Sequence, residues 1–158
     1  MNVRWLALSL LLMGVAACGA EAPPAQSEAP VTPAEAPAVE APSGPRVFFV
    51  EPADGATVKS PVHLRFGIED FTIGAVPQGT VESVRPDLGH HHVGVDTTCL
   101  PAGTVIPQAA PWVHHGGGQT EMDMQLPPGT HTLTLQLGDD KHTTIEGLCS
   151  TITITVVE

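Results

Sequence analysis

Apolar and polar residues alternate strictly in three stretches of the chain. Residues 62–68, 132–137 and 152–156 carry a large apolar side chain at every second position, with a polar residue or glycine between. A repeat of two is typical of a β-strand that has one face buried and the other in water. We therefore predict three half-buried strands. Their inward-facing residues are Val62, Leu64, Phe66, Ile68, Leu133, Leu135, Leu137, Ile152, Ile154 and Val156.

Shorter candidate strands and turns fill the space between these stretches, and no window of ten or more residues shows a helical stripe. The shorter strands are residues 46–50, 80–84, 91–96 and 121–126, and the turns rich in Pro, Asp or Gly are residues 52–55, 85–89, 126–129 and 138–140. About seven short strands at regular spacing predict an all-β fold of the immunoglobulin-like β-sandwich type. A cupredoxin-like barrel is the alternative.

The N-terminus has the pattern of an export signal. Arg4 precedes an apolar run, small residues follow at 15–17, and Cys18 comes next. We predict that residues 1–17 are a signal peptide, which is too short to remain as a membrane span. The small residues before Cys18 resemble a bacterial lipobox, which implies acylation of that cysteine and a lipid anchor. Gly19 implies sorting to the outer membrane, facing the periplasm; the alternative is an ordinary signal peptide with Cys18 incidental.

Residues 18–45 form a Pro-, Ala- and Glu-rich segment that has almost no large apolar side chain. Such a composition cannot bury a core, so we predict a disordered tether with polyproline bias. At a rise of ~3.1 Å per residue it spans at most about 80 Å. Residues 46–158 remain as the β-sandwich domain, which is long enough for one hydrophobic core.

The charge of the domain excludes one class of partner. Residues 46–158 hold 13 Asp and Glu against 5 Lys and Arg, a net charge of −8 (5 − 13) with neutral histidine. Nucleic acid needs a basic surface, so we expect no nucleic-acid partner. An acidic domain instead attracts cations, including metal ions. We expect a monomer.

Two cysteines, Cys99 and Cys149, lie in the domain. An even pair in an exported domain predicts a disulfide. The alternative is a pair of thiolates that serve a soft metal.

Histidines are the main candidates for chemistry, and the chain has eight. In residues 90–95 the repeat of two puts His90 and His92 on one face of a strand and turns His91 inward with Val93. Neighbouring imidazoles disfavour each other's protonation, and neutral imidazole is the form that binds metal. We predict a histidine-rich rim that binds copper or zinc for storage, delivery or sensing. Its members are His90, His92, His114 and His142.

Other functions stay open. The main alternative is an interaction module that binds an envelope protein or a glycan. In that case the histidines are structural and form hydrogen bonds with Asp96 and Gln119. Met122 and Met124 share a strand face with Leu126, which indicates that they pack in the core. If they instead faced the rim, their thioether sulfurs would favour copper(I) as the bound metal.

A hydrolase or dismutase is the third interpretation, although the sequence shows no nucleophile elbow, phosphate loop or HExxH helix. It would use a histidine-rich metal centre with an open position, with Glu121 or Asp123 as the base.

Three motifs in order resemble the bacterial family called domain of unknown function 4399. They lie at residues 89–96, at residues 106–107 with 114–121, and at residues 126–139 with His142. The resemblance implies an exported small β domain and supplies no activity. It also adds His91 and His131 to the candidate metal ligands, since its matching histidines are His90, His91, His92, His114, His131 and His142. His115 and residues 143–146 depart from the family pattern.

Overall fold

The structure is a computed structural model that describes residues 44–158. The predicted signal peptide, Cys18 and nearly all of the tether lie outside the described residues. Within residues 44–158 all regular structure is β-strand, and no helix there is long and apolar enough to cross a membrane. The strands are β1 (Arg46–Glu51), β2 (Thr57–Lys59), β3 (Val62–Glu69), β4 (Thr72–Ile73), β5 (Leu88–Val95), β6 (Trp112–His115), β7 (Glu121–Met124), β8 (Gly129–Gly138) and β9 (Thr144–Val157).

The strands form two sheets. The small sheet has the order β1-β3-β7, and the large sheet has the order β2-β9-β8-β5-β4 with β6 paired to β5. All pairings are antiparallel except β2 with β9 and β4 with β5. Strands β4 and β6 lie along the same edge of β5, where β4 pairs with Leu88 and Gly89 and β6 pairs further along.

The hydrophobic core lies between the two sheets, which confirms the predicted all-β sandwich. Leu64 and Phe66 of β3 face Leu135 of β8 and Ile154 of β9, and all four are almost fully buried. Each fully buried side chain of this size stabilises the fold by roughly 1.5–3 kcal/mol. The alternation predicted for β3 and β9 is present, since buried and exposed residues take turns over residues 62–66 of β3 and 151–157 of β9.

Some predicted strands differ from the observed ones. Residues 80–84 form no strand; their two apolar residues, Val81 and Val84, lie three positions apart and do not alternate. The segment therefore has no apolar face of its own to bury, and Val84 is exposed. The short strands β2, β4 and β6 were not predicted, because each is too short to show a repeat of its own.

The largest correction concerns the outer face of the large sheet. The sequence predicts that Thr134 and Gln136 of β8 face water, but both are buried. The segment 97–111 covers them: Gln136 donates from Nε2 to the carbonyl of Leu100 and accepts from its N–H, both at 2.9 Å. The predicted disulfide between Cys99 and Cys149 is present and ties this segment to β9. The central strands are therefore buried on both faces.

Candidate metal centre

Strand β5 presents histidines to both of its faces. His90 and His92 point to the outer face, under the covering segment, and they are only 1% and 0% exposed. His91 points into the space between the sheets, where its ring lies 5.0 Å from that of Phe66. The separation follows the repeat of two along a strand, as predicted. The burial of His90 and His92 differs from the predicted open rim, because the segment 97–111 lies over this face.

Strand β6 supplies a third imidazole. Its register places His114 directly opposite His92, so the two side chains leave the sheet on the same face. The next residue, His115, points to the inner face opposite His91. Alternation within β6 separates His114 from His115 just as it separates the histidines of β5.

The turn between β8 and β9 supplies the fourth imidazole. The Asp139 carboxylate accepts hydrogen bonds from the N–H groups of Lys141 at 2.7 Å and Thr143 at 2.9 Å. This compact turn holds His142 at a φ of 63°, a conformation that non-glycine residues rarely adopt without support. The His142 carbonyl accepts from the N–H of Ile106 in the covering segment at 2.8 Å. The turn and the cover together direct the ring over the sheet.

The four imidazoles gather into one group, called here the outer cluster. Each offers one ring nitrogen, and these nitrogens lie within 4.8 Å of one another. Their ring centroids are 4.5 to 5.6 Å apart. The shortest contact joins Nε2 of His114 to Nε2 of His142 at 3.0 Å. The outer cluster consists of His90, His92, His114 and His142.

Two glycines make room for the rings. Gly138 lies opposite His90 in the β5–β8 ladder, and a Cβ there would lie 2.8 Å from Cε1 of His92. A Cβ at Gly116 would lie 2.3 Å from Cε1 of His114. Any side chain at these positions would have to displace an imidazole.

Burial disfavours the charged form of three imidazoles of the outer cluster: His90, His92 and His114. Loss of solvent lowers the pKa of His90 to about 3 and that of His92 to about 2, and the neighbouring imidazoles add to both shifts. The pKa of His114 is lowered too, first by burial and then by His142 and His115. Neutral imidazole has a free lone pair on one ring nitrogen, which is the state that a metal ion requires.

Three buried ring nitrogens of the outer cluster have no hydrogen-bond partner among residues 44–158: Nε2 of His90 and both Nδ1 and Nε2 of His92. Buried polar groups in folded proteins are nearly always paired, and each unpaired one costs about 1–3 kcal/mol. Four imidazole nitrogens are a suitable ligand set for a tetrahedral zinc or copper ion. A bound ion would pair with Nε2 of His90 and with one of the two ring nitrogens of His92.

One carboxylate lies close to the outer cluster. Asp140, whose side chain is 1% exposed, accepts from the Arg85 guanidinium at 2.6 and 2.9 Å and from the Arg85 N–H at 3.0 Å. The Arg85 hydrogen bonds lower the pKa of Asp140 to about 2. Its negative charge raises the pKa of His90, against the stronger effect of burial. Asp140 therefore lies beside the outer cluster as a carboxylate whose charge is balanced by the Arg85 guanidinium.

The structure does not bring His91 and His131 into the outer cluster. His131 lies at the far end of the sheet, with Nδ1 3.0 Å from Asp96 and Nε2 2.9 Å from the carbonyl of Pro127. Both nitrogens face acceptors, so both donate and neither has a lone pair for a metal. Nδ1 of His91 contacts the main-chain oxygen of Gln119 at 3.0 Å. The interpretation of the histidines as structural predicted hydrogen bonds with Asp96 and Gln119. Asp96 contacts His131, and the main-chain oxygen of Gln119 contacts His91.

Sequence reasoning missed the residues that shape the site. The pattern predicted only a turn at residues 138–140. In the structure Gly138 leaves room for the His92 ring, Asp139 holds the turn that contains His142, and Asp140 supplies the buried carboxylate. A signal was present, since a Gly-Asp-Asp turn followed by a histidine places a carboxylate where it can bind the N–H groups of the next residues.

These observations define an all-β sandwich domain in which four histidines lie between one sheet and the segment that covers it. The chain belongs to the family described as domain of unknown function, DUF4399, whose model matches residues 64–157. The matched region contains the whole outer cluster. The family description names no activity.

A comparison with curated proteins found no match. Among solved structures, the chain is similar to the endo-beta-1,4-mannanase from Thermotoga petrophila, with 19% identity and a TM-score of 0.44. That similarity covers 75% of this chain, which spans only 21% of the mannanase chain. A likeness at this level carries no information about activity.

Proposed function

We propose that the domain binds one transition-metal ion, zinc or copper, in the outer cluster, for metal storage, delivery or sensing in the cell envelope. The observation that carries the proposal is the convergence of four imidazoles whose buried nitrogens on His90 and His92 have no partner among the described residues. An interaction module does not need such atoms, because unpaired buried nitrogens only destabilise it.

The ligand set favours binding over catalysis. Catalytic zinc sites use three protein ligands and leave a position for water or substrate, whereas four protein ligands close the coordination sphere. The outer cluster offers four, under a covering segment. A non-catalytic role in holding and releasing an ion follows from this arrangement.

Metal content and thermal stability test the proposal together. The full-length protein is stripped with a chelator, and zinc or copper(II) is then titrated while bound metal is counted by native mass spectrometry. We expect one ion per chain and, at a free metal concentration 100 times the Kd, stabilisation by about 2.7 kcal/mol. The double variant His114→Ala, His142→Ala removes two half-buried ligands and should lose both effects. The matched control is His63→Ala, since His63 is exposed and, among residues 44–158, its ring pairs with Asp123 alone. An unchanged melting temperature with either metal would refute the proposal.

The proposal also includes lipid anchoring through Cys18 in the outer membrane, on the periplasmic side. Its support is the lipobox-like sequence before Cys18 and the Pro-, Ala- and Glu-rich segment after it. Cys18→Ser should move the protein from the membrane fraction to the periplasmic fraction and remove labelling by radioactive palmitate. Retention of the variant in the membrane fraction would contradict the anchor without affecting the metal proposal.

A further inference from the structure

A second group of metal-binding side chains lies on the opposite face of β5, between the two sheets. The β5–β6 register sets His91 directly opposite His115. The sulfur of Met122, on β7 of the small sheet, accepts a hydrogen bond from Nε2 of His115 at 2.8 Å, so an ion that bound both atoms would replace the proton between them. The Phe66 ring lies 5.0 Å from that of His91 and 6.0 Å from that of His115. The group is called here the inner triad: His91, His115 and Met122.

The hydrogen bond of His91 determines which of its nitrogens is available. The main-chain oxygen of Gln119 can only accept, so Nδ1 of His91 donates to it. Nε2 then carries the lone pair of the neutral ring. Nε2 is buried and has no hydrogen-bond partner among the described residues, and His91 as a whole is 0% exposed. Orientation by a hydrogen bond from the far nitrogen to a backbone carbonyl is the usual arrangement for a metal-binding histidine.

The donor types select the metal. A thioether beside two imidazoles in an apolar environment is a soft set, which favours copper(I) over zinc. His115 and Met122 are half-buried, so an ion could reach the inner triad from the solvent side without opening the core. We infer that the inner triad is a second metal site, specific for a cuprous ion and independent of the outer cluster.

The inner triad does not depend on metal binding by the outer cluster. The two sites share strand β5 but no ligand, and they lie on opposite faces of the sheet. Occupation of one does not require the other, and each can be tested with the other removed.

Silver(I) is the probe, because it mimics copper(I) and needs no reductant that would break the disulfide. The full-length protein carries His114→Ala and His142→Ala to disable the outer cluster, and its methionine methyl groups are labelled with ¹³C. We expect the Met122 methyl resonance to shift and saturate at one equivalent of silver(I), while that of Met124 stays in place. Met122→Leu assigns the resonance and should weaken the binding at least tenfold.

Met124→Leu is the matched control, since Met124 lies on the same strand and face but belongs to the core; it should bind silver(I) as the parent does. His115→Gln should weaken binding as Met122→Leu does. If the outer-cluster variant folds poorly, wild-type protein saturated with zinc serves instead and should take up one further silver(I). A Met122 resonance that does not respond to silver(I) in either protein would overturn the inference, whatever the outer cluster does with zinc.

Discussion

Nε2 of His114 and Nε2 of His142 lie 3.0 Å apart, although the residues are 28 positions apart in the chain and on different elements. At this distance one nitrogen donates a proton and the other accepts it. In a tetrahedral site with ~2.0 Å bonds from metal to nitrogen, two ligand nitrogens lie about 3.3 Å apart. The two nitrogens are thus close to the separation found in a metal site. For this pair, metal binding requires a small movement of the rings and the loss of the shared proton.

Replacing the most buried histidine of the outer cluster should stabilise the metal-free protein. In His92→Leu, two unpaired ring nitrogens are replaced by apolar atoms of similar volume, so we expect the chelator-treated variant to be more stable than wild type by about 1–3 kcal/mol. Zinc and copper should no longer raise its melting temperature. Urea unfolding with and without chelator measures both effects. A variant less stable than metal-free wild type would indicate that His92 serves the fold instead.

A single methyl group should block the outer cluster. In Gly138→Ala the new Cβ would lie 2.8 Å from Cε1 of His92, which must move out of position. Displacing a ligand in this way should weaken metal binding by at least about tenfold. The comparison variant is Gly94→Ala, whose Cβ meets Thr97 and Trp112 on the same face and no cluster histidine. Competition titrations with a chromophoric chelator give both affinities; an equal loss in the two variants would show that the effect is only on the fold.

The pair formed by His131 and Asp96 should make stability depend on pH. The carbonyl of Pro127 and then Asp96 raise the pKa of His131 above its ordinary 6.5. Partial burial opposes ionisation of Asp96, but hydrogen bonds from His131 and the N–H of Thr132 lower its pKa below the ordinary 3.8. A raised histidine pKa stabilises the fold fully below pH 6.5 and loses its effect as the pH rises through the raised value. A lowered carboxyl pKa stabilises above pH 3.8 and loses its effect in acid.

The stability difference between wild type and His131→Gln should therefore be largest between about pH 4.5 and 6 and should shrink towards pH 8. Melting curves across this range measure it. His63→Gln is the control, because the pKa of His63 is also raised, by Asp123, but the pair is exposed and should contribute little at any pH. A difference that stays constant with pH would mean that His131 acts through packing alone.

The disulfide should stabilise both the fold and the metal site. Cys99 and Cys149 are 50 positions apart, for which the chain-entropy model predicts about 4 kcal/mol. In Cys99→Ser, Cys149→Ser we expect a loss of that order in urea unfolding. We also expect weaker zinc binding, because the covering segment holds His142 through the N–H of Ile106. Unchanged zinc affinity in a destabilised variant would show that the hydrogen bonds between Gln136 and Leu100 hold the cover without the disulfide.

The strands that were predicted correctly are those whose pattern is local. In β3, Leu64 and Phe66 face the core and Arg65 faces solvent, as a repeat of two requires. The same repeat correctly separated His91 from His90 and His92. The strands that were missed depend on a partner elsewhere: β6 is a strand because residues 112–115 pair with β5. Residues 80–84, which lack a repeat of two, form no strand.

By itself, the sequence determined the all-β class, the strands of the core, the cysteine pair and the histidines most able to bind a metal, because side-chain alternation and residue chemistry are properties of short stretches. Only the tertiary structure decided that segment 97–111 covers the outer face, that His114 and His142 reach His90 and His92, and that His131 does not. These outcomes depend on cross-strand register and on a loop that folds back over the sheet. Register and loop packing both bring together residues that are far apart in the chain, and no local repeat in the sequence indicates such contacts.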